Sequence, residues 1–312
     1  MNTYCVAIIT RNRDDLISRC LNHIYKQSVL PDQVIVVDDS KNNKTQKIIK
    51  EEFNSVDYFH VNFNLGDLPK MRNYAINKCN TDIIAFIDDD GFADFKWLEN
   101  IKKTFESDNS IPAVGGRIIQ GDESKYDPIN PNCGLYNFYR WSYGSSNITH
   151  HDNINVKQFQ GTNMNFKMSV LNEIGNYDEL LCHGYASFED TEICLRIYNK
   201  YGNLVFCPSA IVTHGLAPRE KGFPRNMSSP KFVLSYARNG TYTLLKNYYR
   251  NINAVFCLFF LVPIVNFKRI FIDYNNKINF FNFFQIKRYL IFFNFILGLY
   301  LGTSLFLFNR KN

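Results

Sequence analysis

Apolar and polar positions in this chain come in blocks. Residues 4–9, 34–37, 58–61 and 83–87 are nearly continuous apolar runs, each halted by a polar or acidic segment. Runs of that kind suit strands buried on both faces. Between them the period changes. Leu16, Ile17, Cys20, Leu21 and Ile24 recur at helical spacing, with Asp14 or Asp15 placed to cap the helix and Pro31 closing the stretch. A second helix runs through Phe53, a third covers residues 71–79, and a fourth covers residues 95–106. Strands alternating with helices at this interval predict an α/β fold with a mostly parallel central sheet flanked by helices.

The pattern loosens after a further strand at residues 113–121. From 122 to 156 prolines, asparagines and aromatics follow no clear period, which predicts a long loop with one short helix at residues 136–141. His150 and His151 lie in it, and a His pair in a polar loop is by default solvated. A strand and helix then end near Gly175, a helix starts with Glu189, Asp190 and Glu192 in its first turn, and residues 204–214 form a strand ending in His214. Helix-start carboxylates are favoured by the helix dipole whatever else they do.

Chemistry gathers where strands end. Residues 83–91, IIAFIDDDG, deliver Asp88, Asp89 and Asp90 to a C-terminal strand end, the side on which open α/β sheets bind ligands. Three adjacent carboxylates repel one another, so they favour a divalent cation and its phosphates; a solvated acidic turn is the plain alternative. Residues 34–37 deliver a second pair, Asp38 and Asp39.

Composition narrows the setting. The net charge of +6 is spread out with no long Lys/Arg run, which argues against nucleic acid and leaves room for an anionic membrane surface or substrate. Eight cysteines show no CxxC pair and no zinc spacing, which reads as free thiols in a reducing, cytosolic compartment. The N-terminus reads as a first strand and not as a signal peptide. The tail is different: residues 254–265 are apolar but short and contain Pro263, while residues 289–308 are long enough to span a bilayer. Between them lie Lys268, Arg269, Lys277, Lys287 and Arg288 against Asp273. A two-span hairpin would put that basic loop outside, against the usual bias, so helices lying in or dipping into the inner membrane face are expected. A single span and ordinary core helices are the rivals.

In combination these motifs resemble the family 2 glycosyltransferases, nucleotide-sugar-dependent enzymes of the GT-A fold, over residues 3–245. The family's opening loop is matched by Ile9, Thr10, Arg11, Asn12 and Arg13, without its proline and aromatic. Its VVDD(G)S appears as VVDDS, which implies that Asp39, with Asp38, hydrogen-bonds the nucleobase and favours uracil or thymine. Its G-x-x-x-A-R-N corresponds to Gly66 through Lys70, Met71, Arg72 and Asn73, implying Lys70 and Arg72 near base or ribose. The DxD-type element matches Asp88, Asp89 and Asp90, so the resemblance implies Mn2+ or Mg2+ on Asp88 and Asp90, with Asp89 at the donor. Its ED-x-[DE]-L-x-x-R reads EDTEICLR, making Asp190 the implied general base and Glu189 the second choice. His214 resembles the histidine that completes metal coordination in some members, and Gly161, Thr162 and Asn163 match a segment lining donor sugar and acceptor.

The expectation is therefore an inverting, metal-dependent transferase at the cytoplasmic face of the cell membrane. It would move a sugar from a nucleoside-diphosphate sugar, UDP or dTDP favoured, to a lipid-linked or polysaccharide acceptor. Residues 1–245 would form the GT-A domain, split into a nucleotide-binding half (1–120) and an acceptor-binding half (121–245), with 246–312 a membrane-associated helical tail. A sugar nucleotidyltransferase would need a Gly-rich triphosphate loop near the N-terminus, which the chain does not show. A non-catalytic nucleotide-sugar-binding or scaffold protein of the same fold is the alternative.

Overall fold

The computed structural model describes residues 2–63, 67–120, 136–137, 142–143, 152–182, 187–215, 229–271 and 286–311. Gly66, the His150/His151 pair and most of the expected long loop lie outside the described residues. The chain divides into two compact units: residues 1–135, 143–179 and 193–218 in the first, and residues 136–142, 180–192 and 219–312 in the second.

The first unit is built on a sheet. Its strands are β1 (Tyr4–Thr10), β2 (Gln33–Asp38), β3 (Asp57–His60), β4 (Ile83–Asp88), β5 (Gly91–Ala93), β6 (Ala113–Gln120), β9 (Ile154–Val156), β10 (Met164–Lys167) and β11 (Leu204–His214). The order is β3-β2-β1-β4-β10-β6-β11-β5, with β9 on β11. The mostly parallel sheet stands: β3, β2, β1 and β4 run parallel, as do β6 and β11, while β10, β5 and β9 pair antiparallel.

Strand alternation makes two cores. On one face Cys5, Ala7, Ile9, Ile35, Val37, Ile84 and Phe86 pack on α3 (Leu68–Lys78), α5 (Met168–Ile174) and α6 (Glu189–Tyr201) through residues such as Met71, Leu171 and Ile197. On the other, Tyr4, Val6, Ile8, Val34, Val36, Ile83, Ala85 and Ile87 pack on α1 (Asp14–Tyr25), α2 (Lys44–Glu52) and α4 (Trp97–Ser107). Each fully buried side chain of this size contributes about 1.5–3 kcal/mol, so the apolar runs are explained by cover on both faces. Asp14 and Asp15 do not cap α1; they lie in its first turn behind Arg13, where the helix dipole favours them.

Of the helix expected at residues 136–141, residues 136–137 are a strand instead, and 138–141 lie outside the described residues. The short strands β7 (Tyr136–Asn137) and β8 (Ser142–Tyr143) pair, and β9 falls inside the stretch expected to be a loop. Two- and three-residue strands leave too few positions for any period to show.

Between β6 and β11 the register shifts from Cys207 to Ile211. The fully buried Asn163 side chain fills that gap: Nδ2 donates to Arg117 O (3.2 Å) and Ala210 O (2.9 Å), and Oδ1 accepts from Trp97 Nε1 at 3.0 Å. Gly116 leaves it room, because a Cβ there would come within 2.3 Å of the Asn163 amide nitrogen.

The second unit is helical. It contains α7 (Pro230–Tyr248), α8 (Ile252–Phe256), a π turn (Cys257–Leu261), α9 (Val262–Phe271) and α10 (Ile286–Lys311). Phe232, Val233, Ala237, Leu244, Leu258, Val262, Ile291, Phe295 and Leu299 form its core. By length and composition α10 is apolar enough to cross a membrane, and Phe293, Tyr300 and Phe308 are 63%, 68% and 67% exposed.

Asn163→Ala should lower stability by about 3 kcal/mol, because one buried donor and two carbonyls lose their partners at roughly 1–3 kcal/mol each before water relaxes in. The urea midpoint measures it; a loss under about 1 kcal/mol would show that the amide is not a structural joint.

Candidate functional site

The alternation that builds the two cores also distributes the carboxylates at the end of β4. Asp88 falls on the side of α3. Its Oδ1 is 3.9 Å from Nη2 of Arg72, and its backbone N–H donates to Thr162 Oγ1 at 3.3 Å. Arg72 is buried at 2% exposure, with its guanidinium 5.2 Å from the Tyr177 ring centroid. Gly161 lies directly over it, and a Cβ there would come within 2.6 Å of Nη2. A side chain at residue 161 would displace the arginine.

Asp89 turns the other way. It accepts from Thr10 Oγ1 (2.8 Å) and from Arg13 Nη1 (2.7 Å), and that nitrogen also lies 3.5 Å from Asp90 Oδ2. Burial pushes the Asp89 carboxyl up to about 6, against the pull of Arg13 and Thr10. Burial also works against the Arg13 charge, but Asp89, Asp90 and Asp88 outweigh it and raise the arginine further. Asp89 is thus a strut that ties the β1 loop to the end of β4.

His214 arrives by register. Antiparallel pairing sets it opposite Gly91, and its Nε2 comes to 3.1 Å from Asp90 Oδ1 and 3.9 Å from Asp88 Oδ2. The hydrogen bond to Asp90 raises the imidazole pKa. One ligand atom each from Asp88, Asp90 and His214 lies within 4.8 Å of the others. His214 Nδ1 is buried and makes no hydrogen bond among the described residues. Two carboxylates and an imidazole fit a divalent ion of the Mn2+ type, with oxygen donors that also suit Mg2+.

The loops after β1 and β2 are tied together. Asn12, at φ 52°, donates its N–H to Ser40 Oγ (2.7 Å) and accepts from Lys41 N (2.9 Å). Asparagine tolerates that left-handed conformation. Asp38 is fully buried, accepting from Ser40 N and Tyr58 OH, both at 2.8 Å. Asp39 accepts from Phe63 N at 2.7 Å and is ion-paired with Arg11. Lys70 reaches Asp67 at 3.1 Å. Sequence reasoning named Asp39 but missed Arg11 as its partner, whose signal was a cation one residue past Thr10.

Glu189 and Asp190 belong to the second unit. They open α6 directly after Phe188, which is held at φ 67°. Glu189 is buried, and Asp190 Oδ1 accepts from Thr191 N at 2.7 Å. Glu192, fully buried, pairs with Lys246 at 2.8 Å. Lys246 was missed, because nothing in the sequence around it marks a buried pair.

Known proteins share both sequence and fold with this chain. A glucosyl-dolichyl phosphate glucuronosyltransferase of Haloferax volcanii is 23% identical over 218 residues, covering 68% of this chain and 68% of that protein. The crystal structure of GalNAc-T7 with UDP, GalNAc and Mn2+ superposes with a TM-score of 0.61 at 18% identity, over 77% of this chain and 47% of that one, so this chain spans about half its length. The mannosyltransferase PcManGT from Pyrobaculum calidifontis, in complex with GDP-Man and Mn2+, has a TM-score of 0.56 at 15% identity, over 99% of this chain and 88% of that one. The profile described as glycosyl transferase family 2 matches residues 5–175, more than half of the sequence, and the chain belongs to that family.

Proposed function

We propose that this family 2 glycosyltransferase is metal-dependent and inverting, and that it transfers a sugar from a nucleoside-diphosphate sugar to a hydroxyl of a lipid-linked or polysaccharide acceptor. The observation that carries the reading is the cluster of Asp88, Asp90 and His214. A divalent ion held there supplies charge neutralisation to the leaving diphosphate. The protein's own groups do the rest. Arg13 and Arg72 flank the carboxylates and add fixed positive charge where the diphosphate's charge grows. Asp39 accepts from the nucleobase once Arg11 yields it, which favours the imide of uracil or thymine, with Asp38 holding its loop in shape. Thr10, Asn12, Arg13 and Lys70 line the nucleotide, and Gly161 admits Arg72 close to the donor. Asn163 acts from behind as a joint.

Asp190, at the N-terminus of α6, is proposed as the general base that takes the acceptor proton during in-line attack, with Glu189 its neighbour. A lipid-linked acceptor is supported by the Haloferax relative, whose name specifies a dolichyl phosphate substrate, and by the exposed apolar residues of α10. The exposed apolar residues also support work at a membrane surface, which we take to be the cytoplasmic face of the cell membrane. The Arg11–Asp39 ion pair favours one rival, a non-catalytic scaffold of the same fold whose nucleobase carboxylate stays closed to nucleotide.

A thermal-shift screen of UDP, GDP, dTDP and CMP with and without Mn2+ separates the two. A ligand at a hundred times its dissociation constant stabilises by about 2.7 kcal/mol. The expected result is a Mn2+-dependent shift for one nucleotide, lost in Asp90→Asn; no shift with any nucleotide would favour the closed, non-catalytic chain. Asp190→Asn should lower kcat by about 100-fold or more while the nucleotide shift persists, and full transfer by that variant would remove Asp190 as the base. Asp89 gives a pH dependence. Its folded-state carboxyl is raised to about 6, so its protonation adds stability as pH falls through that value. In EDTA, Tm of the wild type should therefore rise between pH 7 and pH 5 relative to Asp89→Asn, and a relative fall would contradict the burial of that charge.

A further inference from the structure

We propose that α7 is a positioning helix for the segment that carries Glu189 and Asp190, and that α10 sets α7 in place; the proposal rests on reading Asp190 as the base. All the parts lie in the second unit.

One side of α7 grips the segment before and within the first turn of α6. Asn239 is fully buried, and its Nδ2 donates to Leu181 O and Ser187 O, both at 3.2 Å, with Ser187 Oγ at 3.3 Å. Those acceptors flank residues 183–186, which lie outside the described residues. Arg238 Nη1 donates to Leu180 O at 3.0 Å and to Asn239 Oδ1 at 2.6 Å, so the amide orientation is itself held. Two turns further along, Lys246 pairs with the buried Glu192 at 2.8 Å. Between these polar ties Phe188 packs on Tyr236, ring centroids 5.0 Å apart. Phe188 sits at φ 67°, a conformation that a bulky residue keeps only where its surroundings over-determine it. Four residues of one helix supply that over-determination, and the residue they fix is two positions from Asp190.

The other side of α7 is gripped by α10. Gly298 and Gly302 lie one turn apart on α10 and face α7 backbone. A Cβ at Gly298 would come within 2.6 Å of Ala237 Cβ and 2.7 Å of Leu234 O; one at Gly302 would come within 2.4 Å of Arg238 O. Leu234, Ala237, Arg238 and Thr241 form the i, i+3, i+4, i+7 stripe that meets these glycines. Small residues at this spacing let two helix backbones approach closely, and such contacts do not give without moving one helix. The closest contact is at Arg238, the residue beside Asn239. Displacing α7 there displaces the ties to Leu180, Leu181, Ser187, Phe188 and Glu192 with it. By this inference α10 belongs to the catalytic machinery through α7, in addition to any contact of its outer apolar face with lipid.

The test uses the full-length protein in detergent, with Asn239→Ala, Gly302→Val, Lys246→Met and Lys246→Arg. Amide hydrogen exchange is followed in peptides spanning residues 187–192. Turnover is followed as nucleoside diphosphate released from a panel of UDP-, GDP- and dTDP-hexoses with a polyprenyl-phosphate-linked glucose as acceptor, and Mn2+ affinity by calorimetry. Asn239→Ala and Gly302→Val should speed exchange at 187–192 by about tenfold or more. They should lower kcat by about ten- to a hundredfold, the cost of a misplaced reacting group, with donor KM and Mn2+ affinity within about twofold of wild type. Lys246→Arg should retain kcat where Lys246→Met loses it. Wild-type exchange and kcat in both Asn239→Ala and Gly302→Val would overturn the proposal, as would a matching loss of Mn2+ affinity, which would mark general unfolding. Full transfer by Asp190→Asn would instead remove the base reading, and the exchange result would still decide whether α7 holds this segment.

Discussion

The first unit is governed by the burial of negative charge at the end of β4. Asp89 and Asp90 are each 3% exposed, and an isolated carboxylate so placed would protonate in preference to bearing its charge. Each acidic residue of the triplet instead has its own partner: the Arg72 guanidinium for Asp88, the Arg13 guanidinium for Asp89 and the His214 imidazole, charged only when protonated, for Asp90. Much of the local architecture serves to bring those partners in. The left-handed turn at Asn12 closes the loop that carries Arg13, the backbone at Gly161 leaves room for Arg72, and pairing of β11 with β5 delivers His214. Replacing buried ion pairs by well-packed apolar side chains is often neutral or stabilising, so these pairs are weak evidence for stability. Burial raises the Asp89 carboxyl to about 6 even with the Arg13 ion pair and the Thr10 hydroxyl bond in place.

What could be read in the sequence follows from how far a signal extends along the chain. Continuous runs such as Ile83–Ile87 announce a strand covered on both sides, and the acids after them announce chemistry at its end. Both features are local, and both are found in the fold. The insertion of β10 between β4 and β6 is not local: Met164–Lys167 is four residues long, and its neighbours are about 50 and 80 residues away. Asn163 illustrates the same limit. Its position beside Gly161 and Thr162 fits a ligand-lining segment, but its polar atoms are spent on Trp97, Arg117 and Ala210, because a register shift in a distant strand leaves two carbonyls for it to satisfy. Arg11 and Asp39, 28 positions apart, pair only once the β1 and β2 loops lie together.

The tail shows the converse limit. Hydropathy reports that a segment is apolar without reporting what each of its faces meets. Phe293, Tyr300 and Phe308 are exposed, whereas Ile291, Phe295 and Leu299 are buried in the second unit's own core. The helix therefore combines two of the rival expectations, core helix on one side and exposed apolar surface on the other. Its glycines tell these apart. A helix meeting only lipid gains nothing from losing two side chains, and each glycine costs about 1 kcal/mol of helix propensity. Gly298 and Gly302 are explained by the α7 backbone they lie against. A helix bound that closely to α7 along one stripe cannot meet lipid on every side while the pair stays intact, so the apolar surface it offers is its outer face.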